Sequence, residues 1–336
     1  MKPTDFSETI SNFLHNYLKN ERGYSRNTVK SYRDTWKLLI SFMNDKKNIK
    51  VEKLRIKHLT KETVLEFLYF IEFERNCSIQ TRNVRLAAIK SYLSYIQYID
   101  IENLHETQKI QSIKSKKFQS KLVEYLSIDA IKELLKQPDL STKKGIRDLA
   151  LLSLLYESGA RVQEIIDLTP SMIDFKKPYS IQIIGKGNQT RNVPIVETQI
   201  KNLKHYMNIL KIDKNEAHHP LFYNCQKEQF SSQGIRVILE RNIIQARKNT
   251  NVIFPKNVSP HTIRHSRAVH LLSFGVPLYI IRDILGHSSV ITTEKYAKVE
   301  MTAKRKAIEK ANKNVSPTET SKWLDDSNLL TWLNEL

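Results

Sequence analysis

The sequence predicts a mainly α protein in two parts: an N-terminal helical bundle, then a larger α+β domain with one small antiparallel sheet. Three observations predict it. Apolar residues recur at helical spacing from residue 1 to 105. A polar, basic, aperiodic stretch from Gln108 to Lys121 interrupts that pattern. Beyond it, two β-rich runs, SIQII at 180–184 and RNVPIV at 191–196, flank the turn-forming GKGNQT. No strand–helix–strand period repeats, so a doubly wound parallel sheet is not expected. A length of 336 residues agrees with two domains, at about 100–200 residues each.

The elements follow in order. A first helix is expected from about Asp5 to Asn20, stopping near Gly23. Ser25 or Asn27 caps the next, where Val29, Tyr32, Trp36, Leu39 and Met43 share a face. Thr60 caps a third, with Val64, Leu68 and Ile71 in phase; Ser78 or Thr81 opens a fourth, with Leu86, Ile89, Leu93 and Ile96. Four such helices make a small bundle. Ser127, with Glu133 nearby, starts the second domain. Arg147 to Ser158 reads as a strongly apolar helix stopped by Gly159. A hairpin over 180–196 comes next. Helices resume after Glu197, punctuated by Pro260 and Gly286. The expected organisation is a helical domain over 1–107, a basic linker over 108–123, a second domain over 124–314 and a C-terminal helix over 315–336.

Composition narrows the function. Lys and Arg total 54 against 35 Asp and Glu, a net charge of +19. Such an excess favours a polyanionic partner, nucleic acid being the commonest. Arg26, Lys30 and Arg33 crowd one helix start, Arg82, Arg85 and Lys90 another, and Lys114, Lys116 and Lys117 lie in the linker. These are candidate phosphate contacts; the plainer reading is a set of solvated faces. Two cysteines, Cys77 and Cys225, exclude a disulfide scaffold and fit a reducing compartment. The longest apolar run, Leu149 to Tyr156, is under half of the roughly 20 residues a membrane span needs. The opening MKPTDFSETI lacks a signal peptide's apolar stretch. An intracellular, soluble protein without a membrane partner is expected.

Four places hold residues fit for chemistry. Arg161 follows a buried helix, with Glu164 three positions on to hold it; a surface ion pair is the plainer reading. Lys186 sits between Gly185 and Gly187 at a hairpin tip, where an exposed Lys reaches a phosphate or a leaving oxygen, though lone turn lysines are common. His261 and Arg264 are three apart at a helix start, where an imidazole moves a proton and a guanidinium grips two oxygens. His265 and His270 lack an HExxH or CxxC companion, so packing histidines are expected rather than a zinc site. His287 and Tyr296 lie in GHSS and TTEKYAKV; a phenol there is filler or, beside cations and phosphate, a nucleophile.

Singly these signals are weak, but their order is specific. Arg161, Lys186, His261, Arg264, His287 and Tyr296 in succession resemble the tyrosine recombinase, or phage integrase, family, in the layout of its Xer-type members. GARVQEIIDL, IIGKGNQTRNVPI, HTIRHSRAVHLL and ILGHSSVITTEKYAKV are similar to the family's successive boxes. YSRNTVKSYRDTWKLLISFM and IQTRNVRLAAIKSYLSYI look like its helical, SAM-like core-binding domain. The likeness spans nearly the whole chain.

The resemblance implies a clamp around duplex DNA and a site-specific recombinase acting in integration, excision or resolution. Tyr296 would attack a scissile phosphate, leaving a 3′-phosphotyrosyl link and a 5′-hydroxyl. The bond energy stays in the covalent intermediate, so no ATP is required. Arg161 and Arg264 would hold the nonbridging oxygens, so no metal and no other cofactor is expected. Lys186 would protonate the departing oxygen, His261 act as acid or base, His287 donate to the phosphate, and Glu164 steady the site. The implied partners are DNA with paired recombination sites, a homo-tetramer across two sites, and an accessory or second recombinase protein in some members. The segment 315–336, with Trp323, Leu324, Leu329, Leu330, Trp332, Leu333 and Leu336 in an apolar stripe, would dock on a neighbouring protomer or on its own domain. Arg267 departs from the family's pattern, where a small or apolar residue is usual; it is either a phosphate contact or a surface residue. A type IB topoisomerase and a noncatalytic DNA-binding regulator are the competing readings. Within recombinases, a mobile-element enzyme and a dimer resolvase stay open. Richness in Lys, Ile and Asn suggests an AT-rich bacterial genome. A cytoplasmic, nucleoid-associated protein is expected.

Overall fold

The computed structural model describes residues 3–118 and 124–286. The chain divides into two compact units at residue 120.

In the first unit, α1 (Asp5–Asn12) runs on as π-helical turns over Phe13–Glu21. There follow α2 (Arg26–Lys47), α3 (Lys61–Tyr69), α4 (Ile79–Ile96) and α5 (Leu104–Gln111). The caps explain the starts. Ser25, Thr60 and Ser78 each accept the backbone N–H three residues on, from Thr28, Thr63 and Thr81, which satisfies a donor the helix leaves orphaned. Asn27 and Thr81, the alternatives in the sequence, lie inside their helices. Trp36, Tyr92, Phe13 and Phe67 fill the bundle's centre, none more than 1% exposed. Trp36 and Tyr92 meet edge to face at 4.7 Å.

One expectation is corrected here. The stretch expected as a linker from Gln108 begins inside α5, and Ile110 and Ile113 are buried in the bundle core. Lys90 Nζ donates to the Gln111 carbonyl at 2.6 Å, and Gln111 returns a bond to the Lys90 carbonyl at 2.8 Å. Two isoleucines three apart make one turn of apolar face, too little to register among polar neighbours.

The second unit contains α6 (Ile128–Lys136), α7 (Lys143–Ser158), α8 (Val162–Ile166), β1 (Ile173–Asp174), β2 (Ser180–Ile184), β3 (Thr190–Pro194), α9 (Glu197–Leu210), α10 (Ser232–Asn249), α11 (Pro260–Ser273) and α12 (Leu278–Leu285). The sheet is antiparallel in the order β1-β2-β3. Its register pairs Ile181 with Val193, and both side chains point into the core, at 0% and 1% exposure. The expected hairpin is therefore present; β1, two residues long, is too short to show a period of two. Helix α7 is the spine. Leu151, Leu152, Leu154 and Leu155 are buried, and α9 and α11 pack against it. The Ser266 hydroxyl accepts the Leu126 N–H at 2.8 Å, tying the entry of this unit to α11. Among the described residues, no helix is long and apolar enough to cross a membrane.

Candidate active site

The site is built where α7, α8, β3, α11 and α12 converge. Helix α7 ends at Gly159, whose φ of +56° suits glycine. A Cβ there would stand 2.8 Å from Leu285 Cδ2, so the residue is bound to be small as well. The turn delivers Arg161 as the N-cap of α8. Arg161 and Glu164 form a reciprocal pair. The Arg161 N–H donates to Glu164 Oε2 at 2.7 Å, and Arg161 Nη1 to Oε1 at 2.8 Å. Arg161 Nη2 reaches the Gly286 carbonyl at 3.0 Å. Arg264 projects from the second turn of α11 and is 3% exposed. Its Nη1 donates to the Gly159 carbonyl at 2.7 Å and its Nη2 to the Leu285 carbonyl at 2.6 Å.

A third arginine completes the arrangement. Arg191, on β3, donates from Nη1 and Nη2 to the two Glu164 oxygens at 3.1 and 2.6 Å, and from Nε to the Ile284 carbonyl at 2.9 Å. The consecutive carbonyls of Ile284, Leu285 and Gly286 thus each accept from a different arginine. They form the C-terminal end of α12, where carbonyls lack intrahelical partners and the dipole favours cations. Gly286 closes that end at φ +63°.

Electrostatics follow from this geometry. Burial pushes the Glu164 carboxyl up, but the hydrogen bonds from Arg191 and from the Arg161 N–H outweigh it and hold the group below its ordinary value. His261 is exposed on the first turn of α11. Partial desolvation lowers its imidazole below the ordinary histidine value, and the charges of Arg264 and Arg161 push the same way. His261 is therefore neutral at pH 7, with a lone pair available to accept a proton.

The structure brings Arg161, Glu164, His261 and Arg264 together. Lys186 lies at the tip of the β2–β3 hairpin, where Gly187 and Asn188 take positive φ; its side chain is outside the described set. His287, Tyr296 and the segment 315–336 lie outside the described residues. Arg267 is held by partners within its own domain. It is 19% exposed, bonded to Glu157 at 3.2 Å, and its guanidinium lies 5.3 Å from the Tyr156 ring centre. His270 is a packing histidine: its Nδ1 lies 3.0 Å from the Tyr156 hydroxyl, and Tyr125 flanks the ring. Among the described residues no cluster of His, Cys, Asp or Glu could hold a metal.

The basic candidates in the first unit sort into two kinds. Arg26, Lys30, Arg33, Lys114 and Lys117 are exposed. Arg82, Arg85 and Lys90, expected at a phosphate-facing helix start, turn inward. Arg82 is 5% exposed and pairs with Glu72 at 3.3 Å. Arg85 Nη1 donates to the Ser31 carbonyl and the Thr35 hydroxyl, both at 3.0 Å. Lys90 is spent on α5, and Lys116 on Glu72 at 2.8 Å. The stems of Arg82, Arg85 and Lys90 pack on the bundle and their heads meet carbonyls, a hydroxyl and the Glu72 carboxylate, whereas the Lys116 side chain stays 44% exposed.

Arg191 is the site residue that sequence reasoning passed over. A signal existed. Arg191 and Val193 share the inward face of β3, and a cation on an inward-facing strand position requires a partner.

An α-helical N-terminal unit followed by a helical domain with this three-stranded sheet defines the tyrosine recombinase fold. The description "Phage integrase family" matches residues 124–303, and "Phage integrase, N-terminal SAM-like domain" matches 10–97. The chain belongs to the phage integrase family. It is 32% identical to the tyrosine recombinase XerD of Halalkalibacterium halodurans over 303 residues, 89% of this chain and 96% of that one. It is 31% identical to the tyrosine recombinase XerC of Herpetosiphon aurantiacus over 286 residues, 84% of this chain and 88% of that one. In fold it is similar to XerH site-specific recombinase bound to palindromic difH substrate (TM-score 0.67, 21% identity, 89% of this chain and 84% of that one). It is also similar to the Tn1549 transposon integrase in complex with transposon right end DNA (TM-score 0.66, 16% identity, 89% and 98%).

Proposed function

We propose that this protein is a site-specific DNA recombinase that breaks and rejoins strands through a covalent link to Tyr296. The observation that carries the reading is the convergence of Arg161 and Arg264 on adjacent carbonyls at the end of α12, the helix that leads to His287 and Tyr296. Two guanidinium groups fixed side by side suit the two nonbridging oxygens of one phosphodiester. Such fixed cations stabilise the charge that develops on a pentavalent phosphorus without reorganising. In this reading the Tyr296 phenol attacks phosphorus, the bond to the 5′-oxygen breaks, and a 3′-phosphotyrosine remains. The phenol proton passes to a neutral base, for which His261 is suited. Lys186 supplies the proton to the departing oxygen, and His287 donates to the phosphate. Reversal by another strand's 5′-hydroxyl rejoins the DNA. Paired duplex sites, a homo-tetramer and a nucleoid location belong to this proposal, as does phosphate contact by Arg26, Lys30, Arg33, Lys114 and Lys117.

The test is covalent capture. Wild-type protein is incubated with a nicked random-sequence duplex library, denatured, and recovered adducts are sequenced to give a preferred half-site. A 3′-linked adduct is expected from wild type. Tyr296→Phe should give none while binding the recovered duplex as wild type does. Adduct from that variant, or none from wild type, overturns the reading. Recombination of a plasmid carrying two recovered sites, against mere relaxation, separates a recombinase from a topoisomerase. Whether the sites belong to a mobile element or to a chromosome follows from their genomic position.

A further inference from the structure

We infer that Arg191 is a positioning residue for strand cleavage: it takes up the Glu164 carboxylate so that Arg161 keeps its charge for the phosphate, and it fastens the end of α12 to the hairpin. This rests on the recombinase reading above.

The geometry assigns the role. Glu164 is one buried carboxylate between two guanidinium groups. Arg191 grips both of its oxygens, whereas the Arg161 side chain bonds only Oε1. Two cations sharing one anion leave one net positive charge. Arg161 is the exposed partner, at 36% against 12% for Arg191, so the surplus is presented where a phosphate can reach it. If Arg191 were uncharged, Glu164 would pair with Arg161 alone and cancel it.

The space around Arg191 is shaped for a guanidinium. A Cβ on Gly286 would lie 2.7 Å from Arg191 Nη1, and one on Gly185 would lie 3.4 Å from the same atom. Gly185 and Gly187 flank Lys186, and Gly286 precedes His287. Arg191 thus fills the gap between the two glycines that adjoin two proposed participants in the chemistry. Its Nε bond to Ile284 fixes the last turn of α12 to β3.

The experiment compares wild type, Arg191→Met, Arg191→Lys and the double variant Glu164→Gln/Arg191→Met. The probe is the nicked duplex recovered by covalent capture, and adduct rate and DNA affinity are both read. Arg191→Met should slow adduct formation by at least about tenfold with affinity within about threefold of wild type. Arg191→Lys should fall between, since an ammonium keeps the charge but not the two-pronged grip. The double variant should recover much of the loss, because removing the carboxylate returns the charge of Arg161. A purely structural Arg191 would make the second lesion add to the first. An unchanged rate in Arg191→Met, or a double variant no faster than it, overturns the inference. Should Arg191→Met fail to fold, Arg191→Lys decides: a slowed rate with affinity retained supports it, an unchanged rate overturns it. Absence of adduct from wild type instead overturns the recombinase reading.

Discussion

Glu164 illustrates how one side chain serves three partners at once. It accepts from the Arg161 backbone, the Arg161 guanidinium and Arg191, so its ionised form is stabilised by folding. A carboxyl depressed in the folded state contributes stability that is complete above its unfolded value of about 4.3 and is lost as pH falls through the lower folded value. Thermal melts of wild type and Glu164→Gln should therefore differ most above about pH 5 and converge toward pH 3. A melting-temperature gap that stays constant over this range would contradict the assignment. The plainer reading of Arg161 and Glu164, a surface ion pair, is corrected by burial: the Glu164 side chain is 5% exposed. Sequence spacing gave the pair; only packing could show that the carboxylate lies inside.

At the scale of elements, the end of α12 is the joint on which the arrangement turns. Arginines from α8, β3 and α11 each bond one of its last carbonyls. The three come from sequence positions 161, 191 and 264, far from one another along the chain. Gly286 makes the joint possible. Its φ is +63° and a Cβ would press on the Arg191 guanidinium. Gly286→Ala should destabilise the fold by at least about 1–2 kcal/mol from backbone conformation alone, with further cost from the displaced Arg191. Urea unfolding checks it, and an unchanged midpoint would show that the end of α12 yields freely. The capping serines and threonines were legible because a cap is a local, one-turn device. The α12 joint was not, because none of its partners is a sequence neighbour.

For the whole molecule, the net charge of +19 is the dominant long-range feature. If binding neutralises some ten phosphates, log K should fall by roughly nine per log unit of salt. Within that slope the two kinds of basic residue separate. Removing Arg26 or Lys30 should reduce the slope by about one each without changing thermal stability. Arg82→Ala should leave the slope nearly unchanged and lower the melting temperature, because it removes the inward-facing partner of the half-buried Glu72 and leaves that carboxylate to the exposed Lys116 alone. Equal slopes for all three variants would return the first unit's exposed cations to the status of solvated faces.

The chain by itself determined the mainly α architecture, the hairpin, most helix starts and the order of Arg161, Lys186, His261 and Arg264. These depend on periodicity, caps and motif order, which are properties of neighbouring or successive residues. Only the tertiary structure decided which cations are spent inside the protein and which are left for a polyanion. Arg82 and Arg26 carry the same head group at similar helix starts, yet one meets Glu72 and the other meets solvent. It also decided that Arg191 belongs with Glu164. The reason is physical: a guanidinium's role is fixed by the anion or carbonyl it reaches, and that partner is chosen by how distant elements pack.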